Sequence, residues 1–424
     1  MRQASVWPRA MGCEGKVIVE REEFDEAVGA QVAHVRPTKR ETRRCPWCRR
    51  RCRRFDNGDG RRRWRALDMG QELAYVEADA PRVRCREHGV VVAAVPWARH
   101  RARLTRGFDD QGAWLATECS QTAACELMRI AWRSVGSAVS RVEADIDAQV
   151  DRLADLRRIG IDEISYKKKH NYLTVVVDHD TGRVVWAAPG ADSATLGEFF
   201  TKLGPDRCDQ ISHVSADAAR WIAGTVAAYC PQAVQCLDPF HVVGWANEAL
   251  DQMRRAAWNA AKGRRETTPG GRGATGEAKA LARSRWALWK NPDNLTENQQ
   301  AKLDWIAKTN PVLHRAWSLK EGLRTVFATT GDEAIEALQR WLAWAQRCDI
   351  RLFIDLGEKI KRHRETIEAT LVHDLSNGLV ESTNTKTRLI MRRAFGFHSP
   401  EALISLTMLT LGRYKPTLPG REAA

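Results

Sequence analysis

Three acidic residues of this 424-residue chain lie where a carboxylate could help to bind a metal ion. Asp162 interrupts the apolar run 159–164, and burying its charge in a strand is costly unless a cation compensates. Asp217 follows the predicted short strand 211–216, directly before a helical pattern, and Glu381 lies near the start of a long helical segment. If the three meet, they could hold two divalent cations about 4 Å apart, an arrangement that promotes phosphodiester cleavage and transfer. Carboxylate oxygens favour Mg²⁺ (or Mn²⁺) over zinc at such a site.

Each of these carboxylates also has a structural alternative. Asp162 could cap a helix or a turn, Asp217 could be the N-cap of the next helix, and Glu381 could be a solvated charge on a helix. Two neighbouring acids compete for the same role. Glu163 follows Asp162, but strand alternation predicts that it points to the opposite face. Asp178 begins a predicted hairpin turn, and turn chemistry explains it better than catalysis.

A second set of residues has the spacing of a zinc site. Cys45 and Cys48 form a CxxC pair, and Cys85 and His88 form a CxxH pair 37 positions after Cys48. Four such ligands suit tetrahedral Zn²⁺, and a closed four-ligand site is structural because it leaves no open coordination position. Cys52 is a spare that could substitute for one of them. The alternative is that these are unliganded surface cysteines.

The charge of the chain favours a polyanionic partner. Lys and Arg number 67 against 53 Asp and Glu, a formal net charge of +14, and residues 36–65 alone contain 14 basic and 3 acidic residues. Such a density predicts a binding surface for double-stranded DNA. Arg49, Arg50 and Arg51 are the candidate phosphate contacts within it.

The sequence predicts a cytoplasmic, nucleoid-associated bacterial protein with no membrane partner. It has no run of about 18 apolar residues that could span a bilayer, and its N-terminus lacks the apolar core of a signal peptide. Three of the 11 cysteines fall between 45 and 52, which in a reducing compartment indicates metal rather than disulfides.

The segment 120–142 has the pattern of a helix-turn-helix. It predicts a first helix over about 120–128, a turn at 129–131 and a recognition helix that begins at Trp132. The polar residues expected to face DNA are Arg133, Ser134, Ser137 and Arg141. The residues expected to face the core are Trp132, Val135, Val139 and Val142. Any amphipathic helical hairpin would show this pattern, so the neighbouring zinc ligands and arginines add weight to it.

The elements that must position the carboxylates begin near residue 158. The pattern predicts three strands, a helix, a strand, a helix and a strand, which is the order of a ribonuclease-H-like mixed sheet in an α/β fold. An all-helical insertion follows, interrupted by the Gly/Arg-rich stretch 262–277, which is typical of a loop. The predicted domains are a basic zinc-binding module (1–100), a helix-turn-helix domain (101–150), the first part of the core (151–241), the helical insertion (242–374) and the last part of the core with the Glu381 helix (375–424).

These residues together resemble the ISL-three family of insertion-sequence transposases. The resemblance runs from about residue 44 to residue 414. Its most specific parts are Asp238-Pro-Phe-His241, Ser376-Asn-Gly-Leu-Val-Glu381-Ser-Thr-Asn384 and Arg393-Ala-Phe-Gly-Phe397. The family carries a DDE catalytic triad, which the match assigns to Asp162, Asp217 and Glu381, on a ribonuclease-H-like fold with a helical insertion.

The resemblance also identifies Asp238 and His241 as a D-x-x-H signature. Two roles are open for it, a direct catalytic one and a structural one. In the structural role, which is favoured, Asp238 ends a strand and caps the next helix while His241 is hydrogen-bonded in the core.

The expected function is that of a DDE transposase. It would bind the inverted-repeat ends of an insertion sequence, cleave them, and transfer the freed 3′ ends to target DNA, working as a dimer or a larger assembly on DNA. The alternative is a catalytically inactive regulator that keeps the zinc and helix-turn-helix modules. Four tryptophans of the insertion could stack on an extruded base, although helical spacing favours plain core roles. They are Trp286, Trp289, Trp317 and Trp344.

Overall fold

The computed structural model describes residues 5–167, 171–263, 276–394, 396–397 and 399–421. These residues form two compact units. One contains residues up to 154 together with those from 385 onward, and the other contains residues 155–384. Residues 264–275 of the Gly/Arg-rich stretch lie outside the described part of the chain.

The N-terminal part of the first unit is mainly β-structure. Its elements are α1 (Trp7–Ala10), β1 (Val17–Asp25), β2 (Ala30–Pro37), β3 (Arg53–Asp56), β4 (Arg61–Met69), β5 (Glu72–Asp79), β6 (Arg82–Cys85) and β7 (Gly89–Val92). One sheet has the order β1-β2-β5-β4, and a smaller one has the order β3-β6-β7. The first sheet packs on a core that contains Trp64 and Trp97, whose rings meet edge to face with centroids 5.5 Å apart.

Three helices follow, α2 (Arg106–Glu118), α3 (Gln121–Met128) and α4 (Trp132–Asp147). The predicted helix-turn-helix is therefore present. Ser120 caps α3 by accepting a hydrogen bond from the Ala123 backbone N–H at 3.2 Å, and Arg129 makes the turn with a left-handed backbone, φ 54°. Val135, Val139 and Val142 are buried, as expected, but the prediction for Trp132 is wrong because 38% of it is exposed. As the first residue of α4, it lines an open groove instead of the packed interior.

The second unit is built around a five-stranded sheet. Its elements are β8 (Arg158–Lys167), β9 (Asn171–Asp178), β10 (Arg183–Pro189), α5 (Ser193–Leu203), α6 (Pro205–Cys208), β11 (His213–Ala216), α7 (Arg220–Tyr229) and β12 (Val234–Leu237). The strand order is β10-β9-β8-β11-β12, with β8, β11 and β12 mutually parallel and β9 antiparallel to both of its neighbours. Asp178 makes the β9–β10 turn, as predicted, by accepting hydrogen bonds from Asp180 N–H and the Thr181 hydroxyl.

A layer of helices follows the last strand of this sheet. It comprises α8 (Pro239–Gly263), α9 (Gly276–Ala282), α10 (Arg285–Trp289), α11 (Glu297–Thr309), α12 (Pro311–Val326), α13 (Gly331–Gln346), α14 (Arg351–Arg362) and α15 (Arg364–His373). These helices share one apolar core, against which Trp289 and Trp317 pack, whereas Trp286 and Trp344 are exposed. The Thr370 hydroxyl donates to the Leu237 carbonyl at 2.8 Å and so joins α15 to β12.

Two helices end the described chain, α16 (Gly378–Arg393) and α17 (Pro400–Leu411). Helix α17 packs on α4 and α2 of the first unit. Among the helices that the structure describes, none combines the length and the apolar character needed to cross a membrane.

Candidate active site

The parallel strands bring three aspartates into one row. Ser215 of β11 pairs with Gly160 of β8, so Asp217 and Asp162, each two residues further on, continue the same register. On the other side Ala216 pairs with Leu237 of β12, and the Asp238 backbone N–H donates to the Ala216 carbonyl at 3.0 Å. Asp162 of β8 and the residues that directly follow β11 and β12, Asp217 and Asp238, therefore lie side by side on three adjacent segments of the sheet.

The carboxylates of this row influence one another. Burial raises the pKa of Asp162, and the nearby charges of Asp217 and Asp238 raise it further, while the Glu163 backbone N–H and His241 oppose the rise. Burial also raises the pKa of Asp238, with a further contribution from Asp217. Like charges held together away from water are unfavourable, so a cation between them would stabilise the cluster.

Helix α16 is attached to this row through Asn384. The Asn384 side-chain amide donates to Asp162 Oδ2 at 2.5 Å, and Asn384 is 3% exposed. Glu381 lies one helical turn before Asn384, and its backbone N–H donates to the Asn377 carbonyl at 2.8 Å. Glu381 also lines a cavity of about 300 Å³ together with Asp238. The structure thus brings the helix of Glu381 to the aspartate row, with Asn384, which helical spacing places on the same face as Glu381, as the contact.

A close packing contact seats the start of α16 on the sheet. Gly160 leaves no room for a side chain, because an added Cβ would lie 2.4 Å from Val380 Cγ2 and 2.8 Å from His179 Nε2. His179 Nε2 is 2.7 Å from Ser215 Oγ, which donates to the side-chain oxygen of buried Asn377. The position of Glu381, directly after Val380, therefore depends on a glycine in β8.

The charges of this row also act on Glu163. Burial raises the pKa of its carboxyl to about 7, and the nearby charges of Asp217 and Asp162 add to the rise. Glu163 pairs with Thr174 of β9 directly after Asp162 pairs with Val175, so strand alternation still predicts that the two side chains point to opposite faces of the sheet.

Of the two predictions in the structural role of the D-x-x-H signature, the one for Asp238 is confirmed and the one for His241 is wrong. Asp238 is 2% exposed, and its Oδ1 accepts a hydrogen bond from the Phe240 backbone N–H at 3.2 Å at the start of α8, as a cap does. The side chain of His241 is 39% exposed rather than buried in the core, and its Nε2 is 3.8 Å from Asp238 Oδ2. Because α8 begins at the carboxyl edge of the sheet, His241 lies among the carboxylates and lowers the pKa of Asp162.

The four predicted zinc ligands converge in the first unit. Cys45 Sγ, Cys48 Sγ, Cys85 Sγ and a ring nitrogen of His88 all lie within 4.8 Å of one another. The Cys48 and Cys85 sulfurs are 3.7 Å apart, close to the separation of about 3.8 Å that two thiolates have on one tetrahedral zinc with Zn–S bonds of 2.3 Å. His88 lowers the pKa of Cys85 to about 6, which favours the thiolate that zinc binds. Cys52 is outside this group, and its Sγ donates to the Arg50 carbonyl at 3.4 Å.

The arginines predicted to bind DNA differ in their surroundings. Arg49 pairs with Glu41 at 3.3 Å and Arg50 with Glu87, yet both side chains stay half or more exposed, and Arg51 is also exposed. Their ion pairs lie at the surface, where such pairs contribute little and exchange easily for phosphate.

On α4, Arg133 and Ser137 are exposed and Ser134 is half-buried, which leaves them accessible to DNA. Arg141 is different. Its guanidinium binds both oxygens of Asp109 at 3.0 and 2.6 Å, and the Asp109 side chain is fully buried. The expectation that Arg141 contacts DNA is therefore corrected. It fastens α4 to α2, because a buried carboxylate needs a cationic partner.

Comparison with known proteins identifies all three regions. A family model described as "Transposase" matches residues 159–407, more than half of the chain. The helix-turn-helix domain of transposase family ISL3 matches residues 93–142, and the zinc finger of the transposases of IS204, IS1001, IS1096 and IS1165 matches residues 41–88.

Two curated relatives extend the match to nearly the whole chain. The transposase for insertion sequence element IS1557 of Mycobacterium tuberculosis is 57% identical over 100% of this chain and 98% of its own length. The transposase for insertion sequence element IS1001 of Bordetella parapertussis is 26% identical over 90% of this chain and 92% of its own. With its zinc ribbon, its helix-turn-helix and the domain that carries the aspartate row, the chain belongs to the ISL3 family of transposases.

Proposed function

We propose that this transposase cuts and joins DNA with a ribonuclease-H-like core in which Asp162, Asp217 and Glu381 are the catalytic triad. The observation that carries the proposal is the aspartate row on adjacent parallel strands, tied to the Glu381 helix by Asn384. The carboxylates of Asp162, Asp217 and Glu381 offer oxygen ligands, and such a set fits Mg²⁺ or Mn²⁺. Two divalent ions bound there would supply activation of the attacking oxygen and stabilisation of the leaving oxygen.

The protein's own residues prepare the site for that chemistry. The Asn384 amide holds one oxygen of Asp162, and the Glu163 backbone N–H holds the other at 2.7 Å, so this carboxylate keeps one orientation. The reaction would first hydrolyse a phosphodiester at the transposon end to free a 3′-hydroxyl. That hydroxyl would then attack a target phosphodiester, which conserves the number of P–O bonds.

The first unit would supply recognition of the DNA. Exposed arginines of the zinc ribbon, including Arg49, Arg50 and Arg51, would contact phosphates and give salt-dependent affinity. Arg133, Ser134 and Ser137 on α4 would read the inverted-repeat sequence. Cutting and joining two ends calls for a dimer or a larger assembly on DNA.

An inactive DNA-binding regulator is less well supported. Such a protein gains nothing from three aspartates side by side at a sheet edge, where their mutual repulsion destabilises the fold. Loss of one or more of these carboxylates would be expected in a chain that had lost catalysis.

Incubation of the purified protein with labelled transposon-end DNA, with and without Mg²⁺, tests the proposal. Asp162→Asn, Asp217→Asn and Glu381→Gln should each abolish cleavage and strand transfer and leave end binding nearly intact, since an amide keeps the shape but loses the charge. A double variant should be hardly worse than a single one. The control is Asp206→Asn, an exposed carboxylate on α6, because the pKa of Glu163 is raised by burial and by the charges of Asp217 and Asp162, so Glu163 is not a neutral site. Cleavage by Asp217→Asn at the wild-type rate would refute the triad.

A further inference from the structure

The proposed triad assigns no catalytic role to Asp238, a buried carboxylate of the row. Asp238 is 2% exposed, and its Oδ1 caps α8. Its Oδ2 is also buried, and within the described residues no hydrogen bond of normal length and angle reaches it, although the Asn377 backbone N–H is near enough to lower the pKa of the Asp238 carboxyl. The His241 Nε2, at 3.8 Å, is too distant for a hydrogen bond. A buried carboxylate oxygen without a donor is unfavourable and indicates a missing partner.

The position of Asp238 identifies the kind of partner. Asp238 follows Leu237 at the end of β12, and Asp217 follows Ala216 at the paired end of β11, so the two are neighbours across parallel strands. Backbones of such strands are about 4.8 Å apart, within the span of carboxylates that share one cation. Asp238 also lines the cavity that Glu381 lines, and it is thus adjacent to two members of the triad.

A capping role alone does not explain these features. A cap requires one oxygen acceptor, and Asn or Ser performs it equally well. A cap gives no reason to bury a second, negatively charged oxygen beside Asp217, where repulsion adds to the cost of burial. A divalent cation would relieve both costs, and carboxylate oxygen is a ligand that Mg²⁺ and Mn²⁺ prefer.

We propose that Asp238 is a fourth carboxylate of the metal site and that its Oδ2 binds the cation held by Asp217. This inference rests on the proposed function and deepens it, because it adds a ligand to the same site. It also gives the first residue of the D-x-x-H signature two roles, a cap through Oδ1 and a metal ligand through Oδ2.

Metal binding by the full-length, zinc-loaded protein tests this directly. Titration with Mn²⁺, with free Mn²⁺ followed by electron paramagnetic resonance, should show at least tenfold weaker binding in Asp238→Asn than in the wild type. The matched control is Asp192→Asn, since Asp192 is an exposed cap that accepts from the Thr195 backbone N–H at 2.8 Å on α5. Its Mn²⁺ affinity should equal that of the wild type.

A second measurement separates metal binding from folding. Mg²⁺ should raise the thermal midpoint of the wild type, and the rise should be largely lost in Asp238→Asn, whatever the midpoint of that variant without metal. Unchanged Mn²⁺ affinity and an unchanged Mg²⁺ response in Asp238→Asn, with both lost in Asp217→Asn, would overturn this inference and leave the triad standing. If Asp217→Asn also bound Mn²⁺ like the wild type, the proposed function itself would fail.

Discussion

Replacement of Gly160 by Ala tests how the sheet positions the Glu381 helix. The new Cβ would lie 2.4 Å from Val380 Cγ2, 2.8 Å from His179 Nε2 and 3.1 Å from Ser215 Oγ, all in a buried region. Overpacking of a core costs about 1–3 kcal/mol, and displacing His179 from Ser215 costs about 1 kcal/mol for the lost hydrogen bond. We expect Gly160→Ala to lower the free energy of unfolding by about 2–4 kcal/mol. It should also reduce DNA cleavage at temperatures where the variant remains folded, because Glu381 follows the displaced Val380.

Urea denaturation with a double-mutant cycle measures this coupling. Val380→Ala removes the closest clashing methyl group. The free energy of unfolding of the double variant Gly160→Ala/Val380→Ala should therefore fall by at least about 1 kcal/mol less than the sum of the falls in the two single variants. The control is Gly224→Ala in α7, where an added Cβ meets nothing within 4 Å, and where Ala should stabilise the helix by about 0.5–1 kcal/mol. Additive losses, or wild-type stability in Gly160→Ala, would refute this account of the contact.

Three further predictions concern the zinc ribbon, α4 and the sheet. Cys45→Ser should release zinc and weaken binding of end DNA, because a zinc module folds around its ion; active protein that contains no zinc by metal analysis would contradict this. Arg141→Ala should lower the free energy of unfolding by about 2–4 kcal/mol, since it leaves the buried Asp109 carboxylate without its bidentate partner. Arg133→Ala should instead change the preference among DNA sequences and leave the free energy of unfolding unchanged. Denaturation and binding to cognate and random duplexes distinguish the two. Burial lowers the pKa of His179 to about 4, below the value near 6.5 of an unfolded chain, so the unfolded state takes up the proton first. Stability should fall as the pH drops from about 6.5 to 4, by no more than about 3 kcal/mol, and the fall should be smaller in His179→Gln, as denaturation at each pH would report.

The sequence predicted the zinc ligands and the helix-turn-helix well because local spacing decides both. Two knuckles of the form CxxC and CxxH place their ligands on tight turns, and the four ligand atoms indeed converge. Ser120 and the apolar spacing of α4 determine where the two helices begin and which valines face inward. The strand and helix order from 158 to 237 was also readable, since buried strands show as short apolar runs between turn residues.

The N-terminal sheet was largely missed. Residues 1–100 were predicted only as a basic zinc-binding module, yet β1, β2, β4 and β5 form one sheet. Its strands are rich in Arg and Glu that pair across the sheet, such as Arg63 with Glu77 and Asp25, so their apolar alternation is weak. Hydrophobic alternation does not detect strands that are held together partly by charge pairs.

What the sequence by itself determined is which residues have the chemistry for the site, namely the carboxylates at strand and helix ends. What only the tertiary structure decided is how each side chain is used. Asp238 joins the row because β12 pairs with β11, and burial together with the charges of Asp217 and Asp162 raises the pKa of Glu163. Arg141 is committed to Asp109, 32 positions away, and is not free to contact DNA. These outcomes depend on which distant segments become neighbours, and burial beside a particular partner, not residue type, determines whether a charge binds a metal, DNA or another side chain.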